Sequence, residues 1–222
     1  MPAKSFTYVI GDIHGSLGLL RTLIKRCRRH ARGRGTTLVF LGDYIDRGPD
    51  SAGVVGFIMD LQSELRGRLI ALKGNHEAML IGVVDGEVEA ESWLSQGGTQ
   101  TLQSYGVTSA DALPRTHLQW LRSLPTSHDD GRRFFAHAGI DPDRPLSAQR
   151  ERDLIWIREP FLSDPRDHGR LIVHGHTPLK AGAPDLRGNR VNVDTGAVFG
   201  GALTAAVFDD AETNPVAFLQ SD

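Results

Sequence analysis

The chain has 222 residues, 40% apolar and 23% charged, with a formal net charge of −2. That length and balance suit one well-packed globular unit. They give no net basic field to draw nucleic acid or an anionic membrane surface. The longest purely apolar run is only a few residues, too short to span a bilayer, and Met1 to Thr7 lacks a signal-peptide pattern. Cys27 is the only cysteine, so no internal disulfide can form. A cytoplasmic location is expected on these grounds.

Phe6 to Ile10 reads as a strand. Ser16 to His30 reads as a helix, with Leu17, Leu20, Leu23 and Ile24 at helical spacing. Within it Cys27 has Arg and Lys neighbours. Nearby positive charge lowers a thiol pKa, but a free cysteine is more often simply packed. Thr36 to Leu41 is the next strand, and Asp50 can cap a helix from Ser51 to about Leu65. Arg68 to Leu72 is a third strand. Residues 77 to 124 read as mostly helical, broken by Gly97-Gly98 and Gly106. Arg133 to Ala136 and Leu171 to Val173 are strands again. From Arg190 onward, Val191 to Val193, Leu203 to Phe208 and Val216 to Leu219 follow without helices between them, as in an antiparallel meander. The expectation is one α/β domain over residues 1–222, with two packed mixed β-sheets flanked by helices.

Five of the apolar runs stop at glycine-flanked clusters of metal-ligand residue types. These are Gly11-Asp12-Ile13-His14-Gly15, Gly42 to Gly48 (GDYIDRG), Gly74-Asn75-His76-Glu77, His137-Ala138-Gly139, and His174-Gly175-His176-Thr177. Ligands of α/β sheets gather outside the carboxyl ends of the strands. A lone Gly-Asp after a strand is most simply a capped turn. Five such ends, four of them carrying histidine, point instead to a shared centre. The donors are all O or N with no thiolate, which suits Mn, Fe or Zn and disfavours a structural zinc site.

This ordered set resembles the phosphoprotein phosphatase branch of the calcineurin-like metallophosphoesterases, in its compact bacterial and phage form, over residues 8 to 200. The Trp93 to Thr99 and Asp194-Thr195-Gly196 stretches are similar to bacterial members that include symmetrical dinucleoside tetraphosphatases. The resemblance implies two divalent metal ions, manganese first and iron or zinc as alternatives. Asp12 and His14 would bind one, Asp43 would bridge both, and Asn75, His137 and His176 would bind the other. Such a pair activates a hydroxide for in-line attack on phosphorus. Arg47 is the foremost candidate to fork onto the phosphoryl oxygens, with Arg158 second. His76 would be the general acid, held by Asp46. Glu77 would support its loop. His174 either orients a ligand or is merely structural. Pro178 stands where many metallophosphoesterases have a second histidine, so the first metal would have fewer protein ligands.

The implied activity is metal-dependent phosphomonoester hydrolysis, foremost by a Ser/Thr-type protein phosphatase. The alternative is a symmetrical dinucleoside tetraphosphate hydrolase, and a catalytically silent phospho-binding module is a third reading. The partner is a phosphorylated protein or a small phosphoester, with neither nucleic acid nor membrane expected. Residues 85 to 130 are expected to border the substrate cleft.

Overall fold

The computed structural model describes residues 5–222, and residues 1–4 lie outside the described part. The first half alternates strand and helix: β1 (Phe6–Ile10), α1 (Leu17–Ala31), β2 (Thr36–Phe40), α2 (Ser51–Leu65), β3 (Leu69–Ala71) and α3 (Asn75–Val84). Three short helices follow, α4 (Ala90–Trp93), α5 (Thr99–Tyr105) and α6 (Arg115–Ser123), with the chain kinked at Gly97 between the first two. Then come β4 (Ser127–Asp129), β5 (Arg133–Ala136), α7 (Glu151–Trp156), β6 (Leu171–His174), β7 (Asp185–Leu186), β8 (Arg190–Asn192), β9 (Thr204–Asp209) and β10 (Ala217–Gln220).

The strands form two five-stranded mixed sheets, ordered β10-β9-β1-β2-β3 and β4-β5-β6-β8-β7. Side chains of a strand alternate between faces, and here both faces are buried. Val9, Val39 and Leu41 of the first sheet meet Phe135, Val173 and Val191 of the second in a layer between the sheets. Their neighbours Tyr8, Ile10, Leu38 and Phe40 point the other way, onto Leu20, Leu23, Val54 and Ile58 of the first two helices. On the far side Phe134 and Ile172 pack on Leu154, Ile155 and Phe161. The result is helix, sheet, sheet, helix. Each fully buried Val, Leu, Ile or Phe in these layers contributes about 1.5–3 kcal/mol.

Element ends follow local chemistry. Asp50 caps α2 by accepting from the Gly53 N–H at 2.9 Å. Arg32 and Arg66 close α1 and α2 in the left-handed conformation, each followed by a glycine that shares it.

The meander expected from Arg190 onward is corrected. β8 pairs in parallel with β6 in the second sheet, while β9 pairs antiparallel with β1 in the first. Only β9 and β10 form an antiparallel pair within that stretch. The reason is that residues 193–203 carry the chain from one sheet to the other, which no alternation of apolar residues signals. The two-residue β7 and the polar β4 also lack the apolar run by which strands are recognised.

Cys27 is 2% exposed and packs in the α1 core, and burial pushes its thiol up to about 12. The Arg and Lys side chains around it face outward. At pH 8 only roughly one molecule in ten thousand would carry a thiolate. Ellman's reagent should therefore find no reactive thiol in the native protein and one equivalent in guanidinium chloride.

Candidate metal centre

Strands β1, β2 and β3 run parallel in one sheet, and β5 and β6 run parallel in the other. Their carboxyl ends lie together, so five loops converge. Contacts between the loops hold the two sheets in register there. His137 Nδ1 donates to the Leu41 carbonyl at 3.1 Å, and Asp12 accepts from the His176 N–H at 3.1 Å. Glycine is needed where the second and third loops touch. A Cβ on Gly42 would stand 2.5 Å from Gly74 N, and one on Gly74 would stand 2.5 Å from Asp43 N.

Asp43 is the hub. Its Oδ2 lies 3.4 Å from His14 Nε2 and 3.4 Å from His137 Nε2. Two clusters of potential ligands share it: His14, Asp43 and His76, and Asp43, His137 and His176. Asn75 completes the second. Its Oδ1 is 2.9 Å from His137 Nε2 and 3.0 Å from His176 Nδ1, and those two nitrogens are 3.2 Å apart. His14 Nδ1 donates to Ile45 O at 2.8 Å, as His137 Nδ1 does to Leu41 O, so both rings turn an Nε2 lone pair inward. With the imidazoles neutral, as metal ligands are, lone pairs of oxygen and nitrogen this close together repel one another. A small divalent cation with bonds of roughly 2.0–2.2 Å is what such a set accommodates. Charge makes the same point. Asp12, Asp43, Asp46, Glu77 and Asp194 are all buried, and Asp194 Oδ2 has no hydrogen-bond partner among the described residues. Burying that many carboxylates calls for cations.

The titrations follow from this crowding. Burial and then the Asp194 carboxylate raise Asp12 well above the usual carboxylate range. Burial opposes ionisation of Asp43 too, but His137 and His76 hold it well below that range. Burial lowers His14 to about 3, and burial with the His137 charge lowers His176 to about 3. Burial also works against charge on His137, yet Asp43 and Asp12 raise it to about 9.

Strain is concentrated here. Among the described residues seven non-glycines have positive φ, and His14, Asp43, Asp46, Arg47 and His176 are five of them. Each such conformation costs on the order of 1–3 kcal/mol and persists only where surroundings enforce it. Glu77, fully buried, does much of the enforcing. Its Oε1 accepts from Tyr44 N and Ile45 N, and its Oε2 from Asp43 N and Gly74 N, at 2.8 to 3.4 Å. Burial and the Asp43 charge push Glu77 up to about 7, against the pull of these N–H donors.

The other expected residues fall as follows. His76 Nδ1 is 2.7 Å from Asp46 Oδ2, and its Nε2 faces Asp43 Oδ2 at 4.0 Å. Arg47 is half-buried and donates to His14 Nε2 at 2.8 Å. Arg158 is exposed, with its charge felt at His176. Asp12 sits on the His176 backbone and joins neither three-residue cluster, although its charge reaches Asp43 and His137. Among the described residues no hydrogen bond or ring contact joins the His174 side chain to a ligand candidate, although the His137 charge reaches it. It bonds the Gly175 carbonyl and packs edge-on against Phe161. Sequence reasoning did not single out Trp93, Thr101 or Ser51 beside Asp46, nor Phe199 over the Arg47 guanidinium at 5.7 Å. Of these only the Trp93 to Thr99 stretch carried a signal, as a motif without a role.

A sequence model of the calcineurin-like phosphoesterases matches residues 7–203. A serine/threonine-protein phosphatase 1 from Salmonella typhimurium is 33% identical, over 90% of this chain and 90% of that protein. An asymmetrical bis(5'-nucleosyl)-tetraphosphatase PrpE from Anoxybacillus flavithermus is 30% identical, over 92% and 91%. Among solved structures, a putative diadenosine tetraphosphatase superposes with a TM-score of 0.70 at 24% identity, covering 98% of this chain and 97% of that one.

Glu77→Gln tests the loop architecture. Whichever way the amide turns, its NH₂ meets backbone N–H donors, because both carboxylate oxygens face them. Urea unfolding should show a loss of about 3 kcal/mol, the scale of a buried charged acceptor removed from its donors.

Proposed function

The chain belongs to the calcineurin-like phosphoesterase family, in its phosphoprotein phosphatase branch, and on that premise we propose that it is a metal-dependent phosphomonoesterase acting on phosphoserine and phosphothreonine in proteins. The observation that carries this reading is the Asp43 carboxylate oxygen placed 3.4 Å from imidazole nitrogens on both sides. Asp12, His14 and Asp43 would hold one cation, and Asp43, Asn75, His137 and His176 the other. When bound, two such cations, manganese in this reading, supply an activated water and neutralise charge on the phosphoryl group. The protein's own groups do the rest. Arg47 already reaches His14 Nε2, so its fork lies within range of phosphoryl oxygens beside that ring. Arg158 adds positive charge on the His176 side. His76 is pinned through Nδ1 by Asp46, which leaves Nε2 to deliver a proton to the departing alkoxide. Inorganic phosphate and the free hydroxyl are the products. The reading takes residues 1–222 as one catalytic domain of a cytoplasmic protein. No helix among the described residues is long and apolar enough to cross a membrane.

A second reading is hydrolysis of dinucleoside tetraphosphates. It is favoured by the Anoxybacillus relative and by Phe199, which is 65% exposed over Arg47 and offers a face on which a nucleobase can stack. Two diphosphates as products would match the symmetrical cleavage expected from the sequence motifs. A monophosphate with a triphosphate would match the activity named for that relative.

Mn²⁺-loaded protein should turn over a phosphothreonine peptide with higher kcat/KM than diadenosine tetraphosphate. The reverse order would move the function to nucleotide hydrolysis at the same centre. Dialysis against a chelator should abolish phosphate release from either substrate, and added Mn²⁺ should restore it. Asp43→Asn should lose at least about a hundredfold in kcat and much of its metal affinity, as expected when a charged ligand is removed. Metal content can be read by elemental analysis.

A further inference from the structure

The segment between α3 and α6 reaches the Asp46-Arg47 turn at three points. Trp93 Nε1 donates to Asp46 Oδ2 at 2.9 Å, the same oxygen that receives His76 Nδ1 at 2.7 Å. Thr101 Oγ1 donates to Asp46 Oδ1 at 2.6 Å, and it accepts from the Asp46 N–H at 2.9 Å. A hydroxyl has one proton. With that proton committed to the carboxylate, the Ser51 hydroxyl 3.0 Å away is the donor to Thr101. The third point is backbone. Gly97 O accepts from the Arg47 N–H at 3.1 Å. Gly97 has φ +110°, and a Cβ on it would lie 2.5 Å from Arg47 N, so only glycine fits that approach.

Asp46 and Arg47 are both left-handed, at φ +71° and +65°. That region is uncommon for any residue but glycine, less so for Asp than for Arg. Asp46, Ser51, Trp93 and Thr101 are all buried, so these hydrogen bonds are shielded from competing water. Both carboxylate oxygens of Asp46 are occupied, which removes the freedom of the group to rotate away from the imidazole. We propose that residues 93–101 form a clamp on this turn, with Trp93 and Thr101 as positioning residues that hold Asp46 against His76 for proton delivery to the leaving group. The proposal rests on reading His76 as that proton donor.

The test uses two substrates that differ in their need for a proton. A phosphoserine peptide releases a strongly basic alkoxide, whereas p-nitrophenyl phosphate releases a weakly basic phenolate. Trp93→Phe keeps an aromatic ring beside Gly98 and removes the N–H. It should lower kcat on the peptide about tenfold more than on the aryl phosphate, the scale on which supporting hydrogen bonds at such sites act. The peptide KM should move less than kcat. Thr101→Val should show the same selectivity, and Thr101→Ser, which keeps the donor, should recover the peptide rate. That pair carries the test if Trp93→Phe fails to fold. Loss that is equal on both substrates, or no loss, would overturn the clamp as a positioning device. His76→Asn is measured in parallel. Selective loss there without selective loss at Trp93 or Thr101 sinks the positioning role alone. No selective loss at His76 sinks the general-acid reading beneath it.

Discussion

The arrangement depends on one buried carboxylate. Asp43 stands at the end of β2, between imidazoles delivered by the first sheet and imidazoles delivered by the second. A group of that charge in that place is costly alone. The surrounding histidines, the His76 N–H and the capacity for cations offset that cost. Against burial, His137, His76 and His14 keep Asp43 ionised, with the residue itself in left-handed backbone.

Glu77 and the 93–101 segment hold consecutive parts of the same loop. Glu77 gathers backbone N–H groups from residues 43, 44, 45 and 74, tying GDYIDRG to GNHE. Trp93, Gly97 and Thr101 secure residues 46 and 47. Strain that the loop cannot support by itself is therefore distributed over the first residues of α3 and the kinked segment at Gly97. The protein obtains rigid side chains at loop positions by anchoring the loops to helices.

Much of this was legible in the residues. The strand ends were visible to within one residue, at Ile10, Leu41, Leu72, Ala136 and Val173, because glycine and polar clusters interrupt apolar runs there. The two sheets followed from strand and helix alternation. The crossing at residues 193–203 was not visible, because pairing partners are a tertiary choice and Val191 suits either sheet. The Asp46 clamp was hidden for a similar reason. Trp93 and Thr101 lie 47 and 55 residues beyond their partner, and neither is itself a ligand type. Asp194 was read as part of a motif, but its burial beside Asp12 depends on the chain's return from the second sheet.

That return bears on how the molecule comes into being. The cluster of His14, Asp43 and His76 is drawn from the first third of the chain, whereas its twin needs His137 and His176. A chain emerging from the ribosome holds the components of one cluster long before those of the other. The strands that close the first sheet, β9 and β10, follow every other strand among the described residues. During synthesis, β1 must wait with its β9 edge unpaired until residues 204–209 have been made. Completion of the centre and closure of the sheet thus belong to the same late stage of biogenesis.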